Sequence, residues 1–363
     1  MINISQSDSL EFVQASTRMV QALVDHRRSL ISKQARRVIR LACCRVIHIK
    51  QFNESERRLT AALRPLFSDQ IQSAKEELES LDGKSVLPLA QKQADSARAL
   101  VELIFRPAEW FDDLVDRALP VFARMMAEGA VSQMLAVGID PRKSKAPSTK
   151  QVTSTASQWL ADAGEELPPW IKTDLPQWML NAIEVRLRES FSQDYWLRIA
   201  ETTRDDIELF LREGLQEGQS IRTMASRISS RFPDAYDMRR ATLVARTESG
   251  DSLNGGRRIS MDRLQEEVGP QVPMQPEWLS VLGNTTRDNH ASNDGVPADE
   301  DGMFLLSGLR IPWPGHFSLA PGDRCNCQCT VVMSFGMDED DARQRIQDHA
   351  AGIIGEVQIA RQD

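Results

Sequence analysis

Lysine is missing from the second half of this chain: none follows Lys172, and the cationic side chains beyond it are arginines. GC-rich coding accounts for such a bias. The functional alternative is a surface of planar guanidinium forks that pair with the carboxylates or phosphates of a partner. Long apolar runs are missing too, so no segment reads as a bilayer-spanning helix and no membrane partner is expected. The opening "MINISQSDSLEF" has neither the basic start nor the apolar middle of a secretory signal, which places the protein in the cytosol where it is made. Cysteine is scarce and poorly distributed for disulfides. There are 5, with Cys43 and Cys44 adjacent and Cys325, Cys327 and Cys329 far downstream, unlike a secreted disulfide framework. No internal period points to a solenoid. A net charge of −8 argues against a protein whose main business is coating phosphate backbones, and leaves nucleic-acid contact to a local basic patch.

What is present is mostly amphipathic helix. Apolar residues recur at helical spacing from Leu10 to about Ile49, and a second helix is expected from a cap at Asn53 or Ser55 to a stop at Gly83. Residues 1–138 contain no alternating strand pattern. His26, His48, Cys43 and Cys44 lie within the first helix with nothing gathered around them, so structural roles are expected. The stretch "GIDPRKSKAPSTKQVTST" has the composition of a linker, placed at 139–155. A long helix is expected from Leu175 to about Leu215. A short one follows, capped by Ser220 and burying Ile221, Met224 and Ile228. Residues 156–230 thus form a helical connection to a module at 231–335, followed by an acidic-capped helix and tail at 336–363. Within that module "EWLSVLG", "GMFLL" and "QCTVVMSF" read as short strands of one small sheet. The fold class is α+β, predominantly helical, with long amphipathic helices in the N-terminal half and a small β-sheet with helices in the C-terminal module.

Four polar islands stand out in the last part of the chain. In "ARTES" and the helix beyond it, Thr247, Asp251 and Asn254 share one face, with Glu248 and Ser252 on the adjacent one. This is either a solvated side or a buried network fixing the helix against the sheet. "TTRDNHASNDG" carries Arg287, Asp288, His290 and Asp294, ended by the turn signal Asp294-Gly295. As a site it would be acid–base or metal-binding; the plainer reading is a histidine held by a backbone carbonyl. "GLRIPWPGHF" reads as a rigid irregular loop anchored by Trp313 and Phe317, with His316 placed to meet His290 only if the fold brings them together.

The fourth island is "PGDRCNCQCTVV". Zinc sites usually draw on Cys-x2-Cys or Cys/His pairs, whereas one residue separates these cysteines. In an extended strand their side chains point one way but stand about 7 Å apart, too far to share an ion without a bend. A bent loop joining Cys325 and Cys327 to His290 or His316 would restore a zinc site, with Cys329 as a further candidate. Otherwise Cys325, Cys327 and Cys329 continue through Val331 and Met333 as the inner face of a core strand, the reading that ranks first. No cofactor is expected, with zinc as the alternative.

Taken in order, Arg246-Thr247-Glu248 with Asn254, Trp278, Arg287 with His290, Asp294-Gly295, Pro321-Gly322-Asp323 and Asn326-Cys327-Gln328-Cys329 resemble the Mu F-like head morphogenesis domain of tailed-phage minor head proteins. The resemblance covers roughly residues 210–335. Gln328 stands where the family usually has arginine, and Cys325 is an additional thiol. The resemblance implies a minor head component associated with the portal protein and with major capsid or scaffolding protein. It would sit in the virion head or procapsid interior, assembled in the host bacterial cytoplasm, aiding head assembly, DNA packaging or ejection. It implies no defined reaction. The toxin domain fused to some relatives has no room in the helix that follows Cys329. The other reading is a metal-dependent hydrolase, a nuclease or maturation protease, with Glu248 as general base and Asp288, His290 and Cys327 or Cys329 as ligands.

Overall fold

A computed structural model of the chain describes residues 33–81, 93–105, 107–143, 175–190, 193–269 and 271–350. Among them, the N-terminal part is helical: α1 (Lys33–Ser80), α2 (Gln93–Ile104), α3 (Pro107–Ala136), α4 (Gln177–Ser190), α5 (Gln193–Gln216), α6 (Ile221–Arg231) and α7 (Asp234–Val268). The α+β part follows as β1 (Met274–Leu279), the helical turn α8 (Asp288–Ala291), β2 (Phe304–Leu306), β3 (Leu309–Ile311), the turn α9 (Pro321–Arg324), β4 (Thr330–Phe335) and α10 (Glu339–Asp348). None of the described helices is long and apolar enough to cross a membrane.

The structure redraws several of the expected boundaries. The helix expected to begin at Asn53 or Ser55 is instead the middle of the 48-residue α1. Asn53 faces solvent, while Phe52, Ser55, Leu59, Leu63, Leu66 and Phe67 are all buried on one continuous stripe. That stripe outweighs a local capping preference. The expected helix from Leu175 to Leu215 is two, α4 and α5. The expected start at Leu10, His26, and the linker from residue 144 onward lie outside the described residues. By contrast α6 matches its expectation: the Ser220 side chain accepts a hydrogen bond from Thr223 N, and Ile221, Met224 and Ile228 are buried.

The single expected sheet is two ribbons. β1 pairs antiparallel with β4, setting Trp278 opposite Val331, and β2 pairs antiparallel with β3. The second ribbon takes Leu309–Ile311 from a stretch that reads as loop; Gly308, at φ 82°, supplies the left-handed residue its tight turn needs.

The 35-residue helix α7 organises the molecule. One side crosses α3 so closely that backbones touch. A Cβ added at Gly256 would lie 2.0 Å from Met126 O, and one at Gly129 would lie 2.3 Å from Leu253 O. Ser260 Oγ closes the crossing by donating to Ala130 O at 2.9 Å. Gly256→Ala is therefore expected to destabilise the protein by about 3 kcal/mol, because two packed helices must separate. Gly322→Ala, with open space around its Cβ position, is expected to change stability by less than about 0.5 kcal/mol. Urea unfolding followed by circular dichroism measures both.

Candidate functional site

A second side of α7 carries the first polar island, and it is buried. Thr247, Glu248, Asp251, Asn254 and Arg257 are each at most 5% exposed. Glu248, Asp251, Asn254 and Arg257 follow at steps of three residues, with Thr247 beside Glu248, and every one of them holds the chain between Trp313 and Val331 or reaches across to α1. Thr247 Oγ1 donates to Leu243 O at 2.9 Å and accepts from Asn326 N at 3.2 Å. That contact secures Asn326 at φ 59°, a left-handed conformation that asparagine tolerates better than most residues. Arg324 donates to Glu248 Oε2 at 2.8 Å and Asp251 Oδ2 at 3.3 Å, and through Nε to Gly315 O at 3.2 Å. Trp313 Nε1 donates to Asp251 Oδ1 at 2.7 Å. Burial raises the Asp251 carboxyl above its ordinary value, with Arg324 acting against it.

Asn254, fully buried, uses both ends of its amide. Nδ2 donates to Pro314 O at 2.9 Å and Cys329 O at 3.0 Å, while Oδ1 accepts from Thr330 Oγ1 at 2.8 Å and Val331 N at 3.3 Å. Arg257 donates to Asn254 Oδ1, Thr330 Oγ1 and, on α1, Gln51 Oε1. Burial among these neutral oxygens lowers its guanidinium to about 10. Also on α1, the His48 ring bonds Gln328 O through Nε2 at 2.9 Å, and burial lowers the imidazole to about 3, keeping it neutral.

The remaining islands close around the start of β4. Asp294 accepts from Ser280 N at 2.8 Å and takes a two-pronged pair from Arg45 of α1, at 2.7 and 2.5 Å. Gly295, at φ 77°, returns its N–H to Trp278 O at 2.8 Å. Arg287 donates to Cys325 O at 2.7 Å and Asp323 O at 3.4 Å, fixing the turn that precedes the cysteines. Pro321, Gly322 and Asp323 form that turn with Arg324.

This turn is why the extended-strand reading of the cysteines fails. Cys325 ends α9, Asn326 reverses the backbone, and β4 begins only at Thr330. The bend carries Cys327 and Cys329 to the same histidine. Cys327 Sγ is 3.5 Å and Cys329 Sγ 3.6 Å from His290 Nδ1, and the three side chains are buried with their donor atoms mutually within 4.8 Å. The Cys327 thiol is pushed up by its contact with Cys329 and by burial, whereas Cys329 is lowered by the Cys327 thiol and His290. On its other side the imidazole edges the Trp278 ring, 5.6 Å between centroids, and Nε2 stands 3.8 Å from Asp323 Oδ1. Asn289 Nδ2, at 2.8 Å, helps hold that carboxylate ionised.

Other candidates lie elsewhere. Cys325 is outside this cluster. His316 meets the Trp313 ring edge-on and the Phe317 ring at a tilt, and bonds the Ser318 hydroxyl at 2.8 Å; burial lowers it to about 4. Asp288 is exposed at the first turn of α8, and Glu248 is engaged by Arg324. The hydrolase arrangement of Glu248, Asp288 and His290 around one water is therefore not assembled. A shallow cleft of about 110 Å³ lined by Leu66, Asp69, Gln70, Trp110 and Asp113 among others involves none of the motif residues. Arg257, Arg324 and Ser280 belong to the network without standing in the motif, and His48, expected to be structural, joins it as well. Arg257 follows Asn254 by one helical turn and so was accessible to a face analysis, whereas His48 carries no local signal for its contact 280 residues away.

The site is thus a buried polar clamp on a central helix, closing over a thiol–imidazole cluster, and not an open cleft. Residues 205–332 match the family model described as Phage Mu protein F like protein. The match contains the clamp from Thr247 to Arg324 and all three residues of the cluster, so this segment is Mu F-like, and its family points to phage head morphogenesis. No curated protein and no solved structure matches the chain.

Proposed function

We propose that this chain is a minor head protein of a tailed phage or prophage, acting without catalysis in head assembly at the portal vertex. The observation that carries the reading is the family match over residues 205–332. The geometry supports it, because the motif side chains are spent on one another and on backbone groups, leaving a rigid module with its polar groups turned inward. The beginning of α1 leaves apolar side chains available to a protein partner, with Val38 62% and Val46 69% exposed. Portal protein is the first partner, with major capsid or scaffolding protein as neighbours in the procapsid interior. Assembly takes place in the host cytoplasm.

Cross-linking of infected-cell extracts followed by portal immunoprecipitation tests the partner. Cross-links from α1 to portal protein are expected. Recovery of the chain only with enzymes of DNA or peptide hydrolysis, and never with portal or capsid proteins, would contradict the reading.

A further inference from the structure

The cluster of His290, Cys327 and Cys329 has more thiols than its imidazole can accommodate by hydrogen bonding. A neutral imidazole nitrogen offers one in-plane lone pair. Both sulfurs nevertheless stand the same distance from Nδ1, 3.5 and 3.6 Å. Only one of the two thiols can donate to it, and the other is left with the neighbouring sulfur. Nor does moving the proton to Nδ1 help, since that leaves Nε2 as an acceptor facing the Asp323 carboxylate. In the structure Nε2 is a buried atom without a hydrogen bond.

A divalent ion on Nδ1 would take both sulfurs at once. With Zn–N near 2.0 Å and Zn–S near 2.3 Å, the nitrogen-to-sulfur edge of a tetrahedron is about 3.5 Å. Both observed separations match it. Metal on Nδ1 obliges the ring proton to sit on Nε2, toward Asp323 Oδ1 at 3.8 Å. A carboxylate beyond the second ring nitrogen is the usual orienting partner of a metal-bound histidine. Two thiolates also neutralise the ion's charge, which suits a site whose three residues are at most 4% exposed. Two sulfur donors and an imidazole select zinc over magnesium or calcium, which prefer oxygen.

We propose that His290 Nδ1, Cys327 Sγ and Cys329 Sγ bind one structural Zn²⁺, with Asp323 orienting the imidazole and an oxygen ligand in the fourth position. On binding, each thiol releases its proton to solvent as its Zn–S bond forms, and no electron is transferred. Ser280 Oγ, 3.7 Å from Cys329 Sγ, stands beside the cluster. The ion ties α8 to the start of β4 across 37 and 39 residues of sequence. The proposal goes beyond the head-assembly reading and does not depend on it.

The test uses the reduced, metal-stripped full-length chain, titrated with Co²⁺ alone and then Zn²⁺. One equivalent of Co²⁺ is expected to give thiolate charge-transfer absorption and tetrahedral d–d bands, which Zn²⁺ abolishes. X-ray absorption at the zinc edge is expected to show two sulfurs and one imidazole nitrogen. Cys325→Ser retains the spectrum, whereas Cys327→Ser, Cys329→Ser and His290→Ala lose it. Asp323→Asn weakens binding by about 10- to 100-fold. The wild-type zinc-edge spectrum is decisive even if a ligand variant fails to fold. A folded wild-type chain that binds no Co²⁺, a zinc shell without two sulfurs, loss of binding in Cys325→Ser, or a Cys327–Cys329 disulfide in the mass of freshly isolated protein would each overturn the proposal.

Discussion

Asn254→Leu is expected to destabilise the protein by about 4 kcal/mol, because it strands several buried groups and sets bulkier methyls where the amide was hydrogen-bonded. Pro314 O and Cys329 O lose their donor, and Val331 N loses its side-chain acceptor. The buried Thr330 hydroxyl keeps Arg257 and loses Asn254. Leucine answers none of these needs. The loss falls on the segment that delivers Cys329 into β4, so backbone amides around Thr330 should exchange with solvent faster than those of the α3–α7 crossing. Urea unfolding gives the magnitude and hydrogen exchange gives the location. A change below about 1 kcal/mol would mean that Asn254 does not close the clamp.

Arg324→Met is expected to cost about 3–5 kcal/mol, since it leaves Glu248 and Asp251 buried without their cation. The pH dependence has a defined sign. Burial already raises Asp251, so its folded-state proton affinity exceeds that of the unfolded chain. Such a group contributes most below its unfolded value, and its contribution is lost as pH rises through the folded value. Removing Arg324 takes away the main influence opposing that rise. The defect of Arg324→Met should therefore shrink as pH falls, as Asp251 protonates more readily in the folded variant. Adding Asp251→Asn should recover part of the stability at pH 7 and flatten the pH profile. Equilibrium unfolding of the variants at several pH values separates this from simple loss of packing, which would be independent of pH.

The elements legible in the sequence were those decided within a few residues. Ser220 stands one residue before α6 and caps it; the stripe of Thr247, Asp251 and Asn254 is a property of one helix. The end of the Asp294-Gly295 turn is fixed by a glycine at φ 77°. What escaped depends on distant partners. Asn53 is a good cap in isolation, but the apolar stripe that α1 buries against α3 and α7 runs past it. The cysteines alternate like a strand, yet Thr247 of α7 and Arg287 beside α8 hold the chain before β4 in a turn. That tertiary grip converts an expected separation of about 7 Å along a strand into convergence on His290. The choice of His290 over His316, and of Cys329 over Cys325, follows from the same turn and has no signature in local spacing.

The same distinction bears on function. The ordered motif resembles head morphogenesis proteins, and in the structure many of its polar residues bond to one another or to the backbone beside them, while Arg246 pairs with Glu56 of α1. Such a network favours a fixed shape over a reactive surface. It accounts for a module in which carboxylates, guanidinium groups and an imidazole gather in the protein interior.

Quantitative mass spectrometry of gradient-purified procapsids and mature heads tests this account most directly. Peptides of the chain should be present in heads in few copies, in constant ratio to portal protein, and should be reduced in particles assembled with Asn254→Leu. A chain found only in the soluble infected-cell fraction and absent from every head preparation would contradict the account.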